Sequence, residues 1–318
     1  MPKVRDGLFY RTADRISGNL TAGDENIPDQ FQEGHRLKTM LPLLFCAIFL
    51  LAGCNGGDGS NTSFNSGTVP APEGASNAAG DWYRLPLNVT WQWQLKGKVS
   101  AGYPAEIYDI DLFDSSEPLI DSIQSSGRKV ICYFSVGSYE KWRPDASEFS
   151  QDDLGSVLAG WEDEKWLDIR SANVRRIMQK RLDLAIQKGC NGVEPDNMDG
   201  YANDSGFDLS ATDQLAFNRF IANEAHKRGL SVGLKNDLDQ VKQLVEYFDF
   251  SVNEQCHEFD ECSLLAPFIK AGKPVLNAEY QEDLITNTAK RQSLCDAAAK
   301  EEFSTLILPV QLDDSFRY

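Results

Sequence analysis

Histidine is nearly absent from this chain, with three in 318 residues. Only His226 and His257 fall in its globular part, fewer than a His-based metal site or a Ser-His-Asp triad readily needs. Basic charge is also short: 31 Lys and Arg against 48 Asp and Glu leave a net charge of −17. That argues against nucleic acid as a partner, because phosphate binding needs a basic face. No Gly-x-Gly-x-x-Gly follows a candidate strand, so a dinucleotide site lacks support. No metal, nucleotide or flavin motif occurs, and no cofactor or metal is expected. No apolar run reaches the ~20 residues of a membrane span.

The apolar run that is present, Leu41 to Leu51, has a different meaning. Arg36 and Lys38 precede it and "LAGC" ends it at Cys54. A basic n-region, a short apolar h-region and small residues before a cut describe a secretory signal. A cysteine directly after Leu-Ala-Gly is similar to the bacterial lipobox, so residues 40–54 are expected to be a lipoprotein signal with Cys54 lipidated. Residues 1–39 then form either a mis-assigned start ahead of Met40 or an unusually long n-region. Residues 55–80, rich in Gly, Ser, Asn and Pro, read as a flexible tether. Residues 1–54 carry six basic and six acidic side chains, so the remainder keeps the whole negative charge. The expected location is the cell envelope, lipid-anchored or secreted. Export permits disulfides. Among Cys132, Cys190, Cys256, Cys262 and Cys295, the close pair Cys256 and Cys262 is the candidate bridge, and the odd count leaves a thiol over.

From residue 81 to 318 the composition is globular. Eight short β-branched or aromatic runs are read as strands: 90–95, 106–113, 129–136, 192–197, 231–237, 248–255, 274–280 and 304–310. Amphipathic stretches alternate with them. Val174, Ile177, Met178, Leu182 and Ala185 form one stripe at spacings of three and four. Leu215, Phe220, Ile221 and Ala225 mark a second helix, and Val241, Leu244 and Val245 a third. Glycines stop the helices in "QSSGRKV", "IQKGCNGV", "HKRGLSV" and "KAGKPV". Eight alternations in one domain fit an α/β fold of the (β/α)8 TIM-barrel class, with an open doubly wound sheet as the rival.

Barrel chemistry sits at the C-terminal strand ends, and here those ends are polar. In "GVEPDNMDGY" the period of two places Glu194 and Asp196 on one face, with Asp199 on the loop beyond. Other ends offer Asp109 and Asp111, Tyr133, Lys235, Asn253 and Glu254, and Glu279 and Tyr280, with Trp91 and Trp93 on the first strand. Two carboxylates flanking a scissile bond are the usual equipment of glycoside hydrolysis. Any one strand-end Asp is also a candidate N-cap or ion-pair partner. Trp91, Trp93 and Tyr133 could fill the barrel, and Lys235 could only neutralise its neighbours. His226, on a helix end, is expected at the surface, and His257 is a candidate cleft residue.

The segments "TWQWQL", "YDIDLFD", "VICYFSVGSYEKWRPD", "WLDIRS", "GVEPDN", "GLSVGLKND" and "NEQCHEFDEC" resemble, in order, those of glycoside hydrolase family 114, the endo-α-1,4-polygalactosaminidases. The resemblance runs from about Trp82 to the end and is weakest in "LILPVQLDDSFRY". It implies a TIM barrel that cleaves α-1,4-linked galactosamine polymers internally. It also implies a catalytic pair at the ends of strands 4 and 6, Asp196 and Glu254. A retaining mechanism is expected, with Asp196 as nucleophile and Glu254 as acid and base. Asp111, Tyr133, Glu194, Lys235, Asn253, Glu279, Tyr280 and Trp93 are the expected binding residues, with Asp111 and Glu279 as ammonium partners. The expected partners are a cationic or amino-sugar polysaccharide and, through Cys54, a membrane; a monomer is expected. Two alternatives stay open: a carbohydrate-binding envelope lipoprotein without turnover, and a hydrolase of another glycan.

Overall fold

The computed structural model describes residues 80–318. The expectations for the start, the signal segment, Cys54 and the tether fall outside these residues, apart from Gly80. The fold is a (β/α)8 barrel of eight parallel strands. In chain order they are β1 (Trp91–Gln94), β2 (Ile107–Asp111), β3 (Lys129–Ser135), β7 (Gly192–Asp196), β8 (Ser231–Lys235), β9 (Phe250–Glu254), β10 (Val275–Glu279) and β11 (Ser304–Ile307). Each lies inside its expected range.

Strand alternation divides the apolar side chains into two cores. Trp91, Trp93, Ile107, Ile131, Phe250, Val252, Leu276 and Ala278 pack together inside the barrel. Tyr108, Ile110, Val130, Cys132, Val193, Val232 and Val275 face the helices. Against them lie Val174, Ile177, Met178, Leu182 and Ala185 of the helix Ala172–Gln187. Gly127, Gly189, Gly229 and Gly272 all have positive φ just beyond the helices they were expected to end. The pairing of β11 with β1 is replaced by the last residues of the chain. The Leu312 carbonyl accepts from the Leu95 and Lys96 N–H groups. Arg317 donates to the Trp91 carbonyl, and Ile307 and Tyr318 exchange both backbone hydrogen bonds.

The structure departs from the sequence reading in four places. A three-stranded antiparallel sheet, β4 (Ser138–Glu140), β6 (Trp161–Leu167) and β5 (Leu154–Leu158), is inserted after β3. Its β6 reads "WEDEKWL", whose charged centre resembles a loop. The helix expected around Val241 is only Val241–Leu244. On the helix Ala211–Lys227, Phe217, Ile221, Ala222 and Ala225 face the core, while Leu215 and Phe220 are partly buried. His226 is buried rather than at the surface: its ring hydrogen-bonds Asp249 at 2.8 Å and stacks on Trp82. Among the described residues two disulfides form, Cys256–Cys262 and Cys132–Cys190, the second tying β3 to the turn before β7. Among the described residues Cys295 is the free thiol.

Candidate active site

Three adjacent strands end in charged residues: Asp196 on β7, Lys235 on β8 and Glu254 on β9. The residue after each, Asn197, Asn236 and Gln255, has φ of 59°, 47° and 62° respectively. Left-handed backbone at non-glycine positions costs energy and gathers at functional sites. Here it turns the chain away at once, leaving the three side chains over the mouth. Asn236 also holds Glu254 from both sides. Its amide donates to Glu254 Oε2 at 3.0 Å, and its Oδ1 accepts from the Glu254 N–H at 3.0 Å.

The Lys235 ammonium lies 3.1 Å from Asp196 Oδ1, 3.3 Å from Glu254 Oε2 and 3.3 Å from Glu194 Oε1. It also sits 4.9 Å from the Trp93 ring centre. Burial opposes its charge, but Asp196, Glu254 and Glu194 outweigh that and hold the ammonium form well above its usual range. Tyr133 donates to Asp196 Oδ2 at 2.9 Å, the Asn197 N–H donates to Oδ1 at 2.7 Å, and Tyr280 donates to Glu254 Oε1 at 2.6 Å. Burial, then the facing carboxylate, pushes both phenols well above their ordinary range, so they remain donors. One cation touching both Asp196 and Glu254 limits the gap between their facing oxygens to the sum of those two contacts.

Beneath this layer lie Asp109 and Glu194, both fully buried. Burial first, and the Glu194 charge second, raise Asp109 well above the carboxylate range. Burial lifts Glu194 to about 7, against the pull of Lys235. With both ionised, the Asp109 oxygens would have no donor. A proton kept on Asp109 and offered to Glu194 resolves this.

Among the expected site residues, the structure brings together Asp196, Glu254, Lys235, Tyr133, Tyr280, Glu194 and Trp93. Asp196 and Glu254 keep 18% of their side-chain surface, whereas Lys235 keeps 3%. Several expected binding roles need correction. Trp93 is 1% exposed and stacked on Trp91, so it offers no ring face to a sugar and acts on the site through Lys235. Glu194 is likewise too deep for direct contact and supports Lys235 instead. Asp111 is held bidentately by Arg143 at 3.0 and 2.6 Å and accepts the Phe113 and Asp114 N–H groups, which leaves it no role as an ammonium partner. Glu279 and Asn253 lie on the helix side, because alternation sets them opposite Tyr280 and Glu254. Glu279 accepts the His257 N–H and the Asn277 amide, and Asn253 donates to Asn236. His257 is half-buried there, with its ring 3.7 Å from Glu301. Sequence reasoning missed Asn236 as a site residue and Asp109 as the proton-holding partner. Its signal was present: Asn236 follows a strand-end lysine, and Asp109 shares the inward parity of Trp93, its register partner.

The family description of glycoside-hydrolase family GH114 matches residues 72–318. No curated protein matches the chain. Among solved structures, Ega3 of Aspergillus fumigatus, crystallised in complex with galactosamine, is 45% identical with a TM-score of 0.71. The match covers 74% of this chain and 96% of that one. The glycoside hydrolase domain of PelA from Pseudomonas aeruginosa has a TM-score of 0.56 at 14% identity, over 72% of this chain and 97% of that one. The second likeness is one of fold.

Proposed function

The chain belongs to glycoside-hydrolase family 114, and from that premise we propose an endo-acting hydrolase of α-1,4-linked galactosamine polymers. In it Asp196 is the nucleophile and Glu254 the acid and base. The observation that carries the catalytic assignment is the single ammonium of Lys235 touching both carboxylates. That shared contact makes the two carboxylates a pair across one site, and the anomer released first decides between retention and inversion. The 45% identical neighbour holding galactosamine supports the sugar.

In this reading an Asp196 oxygen attacks the anomeric carbon while Glu254 gives its proton to the departing glycosidic oxygen. A glycosyl-enzyme ester results. Glu254 then takes a proton from water, the hydroxide adds to the anomeric carbon, and the Asp196 ester bond breaks. Tyr133, Lys235 and the Asn197 N–H fix the nucleophile's orientation, and Tyr280 and Asn236 fix that of the acid. A galactosamine polymer without acetyl groups is a polycation, which suits the negative charge of the chain. The segment ending at Cys54 supports export and lipid anchoring. Loss of radiolabelled acyl chain in Cys54→Ser tests that part.

The deciding experiment is reducing-end release from purified α-1,4-galactosamine polymer, run beside Asp196→Asn and Glu254→Gln. Release by the wild type, with both variants down about 10³-fold or more, is the expected result. Polymer binding without release would identify a binding protein instead, and neither would reject the glycan.

A further inference from the structure

The strands around the mouth read as a palindrome. In spatial order β3, β7, β8, β9 and β10 bring up Tyr133, Asp196, Lys235, Glu254 and, directly after β10, Tyr280. Lys235 is the centre, and each half repeats one pattern of donors. One oxygen of each carboxylate meets the ammonium and a neighbouring asparagine. Asp196 Oδ1 has Lys235 Nζ at 3.1 Å and the Asn197 N–H at 2.7 Å. Glu254 Oε2 has Lys235 Nζ at 3.3 Å and the Asn236 amide at 3.0 Å. The other oxygen meets a phenol: Tyr133 on Asp196 Oδ2 at 2.9 Å, and Tyr280 on Glu254 Oε1 at 2.6 Å.

A carboxylate offers about four lone-pair sites, shared equally by its two oxygens. The oxygen with two partners is full, and neither partner can accept a proton. An ammonium only donates. The Asn236 amide cannot turn over, because its Oδ1 accepts the Glu254 N–H and the Asn253 amide. A proton on Glu254 Oε2 would therefore face a cation and an N–H. It belongs on Oε1, beside Tyr280. By the same count Asp196 keeps a site for an incoming carbon on Oδ2, beside Tyr133. Charge then changes at the two phenols in opposite senses. When Oε1 gives up its proton it becomes anionic, and the Tyr280 bond strengthens. When Oδ2 bonds the anomeric carbon its charge is lost, and the Tyr133 bond weakens. It strengthens again when that ester breaks.

We propose that Glu254 Oε1 and Asp196 Oδ2 are the reacting atoms, and that Tyr280 and Tyr133 are catalytic residues, each serving one half of the reaction. This rests on the function proposed above. In the first half the Oε1–H bond breaks and its proton goes to the leaving oxygen. Oδ2 takes the anomeric carbon as the electron pair of the glycosidic bond departs with that oxygen. In the second half water gives a proton to Oε1, its oxygen adds to the anomeric carbon, and the pair of the ester bond returns to Oδ2. Both phenols keep their own hydrogen throughout. Tyr280 lowers the first barrier and Tyr133 the second.

The test uses galactosamine polymer and a dinitrophenyl α-glycoside of galactosamine trisaccharide, whose leaving group needs no proton. In Tyr280→Phe, kcat/KM for the polymer should fall about tenfold more than kcat/KM for the dinitrophenyl glycoside. In Tyr133→Phe the dinitrophenyl glycoside should give a burst of dinitrophenol, a kcat lower by about tenfold and an intact mass raised by one trisaccharide. Equal losses on both substrates in Tyr280→Phe overturn the proposal, as does Tyr133→Phe without burst or adduct. Normal polymer cleavage with an inverted first anomer also overturns it and leaves the hydrolase standing. Should a phenylalanine variant unfold, a ring-fluorinated tyrosine in the same place decides. It is a stronger donor of the same shape, and rates unchanged from the wild type overturn the proposal. A wild type that cleaves neither substrate overturns the proposed function, and this inference with it.

Discussion

Replacing Lys235 with methionine keeps most of its stem and removes its charge. Asp196, Glu254 and Glu194 would then share a site with no cation, and an uncompensated buried charge costs about 3–5 kcal/mol. A fall of that size in urea midpoint stability, with activity lost on the order of 10²-fold or more, is expected for Lys235→Met. Adding Glu194→Gln should return part of the stability and none of the activity, a coupling that a double-mutant cycle measures directly. Glu279 tests electrostatics away from the mouth. Burial raises it to about 7 despite the donors from His257 and Asn277. The folded state therefore holds a proton that the unfolded state releases near the ordinary carboxylate value. Stability contributed there is complete below about 4.5 and declines as pH rises to about 7, by at most about 3 kcal/mol. In Glu279→Gln this part of the slope should vanish, seen as a smaller difference between Tm at pH 5 and at pH 8. An unaltered difference would mean that Glu279 ionises normally.

Strand positions were legible in the sequence because buried parallel strands are continuous apolar runs bounded by glycine and proline. The parity rule likewise placed Glu194 beside Asp196. The same rule, applied to "NAEY" and "VNEQ", would have set Glu279 and Asn253 outside the barrel, since each neighbours a residue that must point inward. What strand reasoning could not supply was tertiary pairing. Arg143 is 32 residues from Asp111, and nothing local announces that it takes that carboxylate. The inserted sheet was hidden for a different reason, its strands being short, bulged and charged. Two elements offer tests. A methyl group on Gly137 would come within 1.8 Å of the Asn197 carbonyl. Gly137→Ala should therefore shift the β7 end and lower kcat at least tenfold, with KM changed less. Cys132→Ser/Cys190→Ser removes a link across 58 residues. It should cost about 2–5 kcal/mol, read as a lower Tm under oxidising conditions and no difference from the wild type in reductant.

At the scale of the molecule, charge and closure matter. A chain with net charge −17 should draw a polycation from beyond contact range, and a Debye length near 10 Å at 0.1 M salt limits that reach. KM for galactosamine polymer is expected to rise several-fold between about 50 and 500 mM NaCl, while the effect on a neutral, fully acetylated oligomer stays small. An equal rise for both would point to a general effect of salt. The seam between β11 and β1 has a consequence in time. Arg317 and Trp91 meet across 226 residues, and Leu312 caps a turn at Leu95. During synthesis the first strand emerges and waits for the other seven, because the segment that latches it follows β11 in the chain. Partial chains can pair neighbouring strands but cannot seal the ring, so closure is a late step with large loop entropy. Until that seam forms β1 has a free edge, so Trp93 and the Lys235 ammonium beside its ring lack their final places.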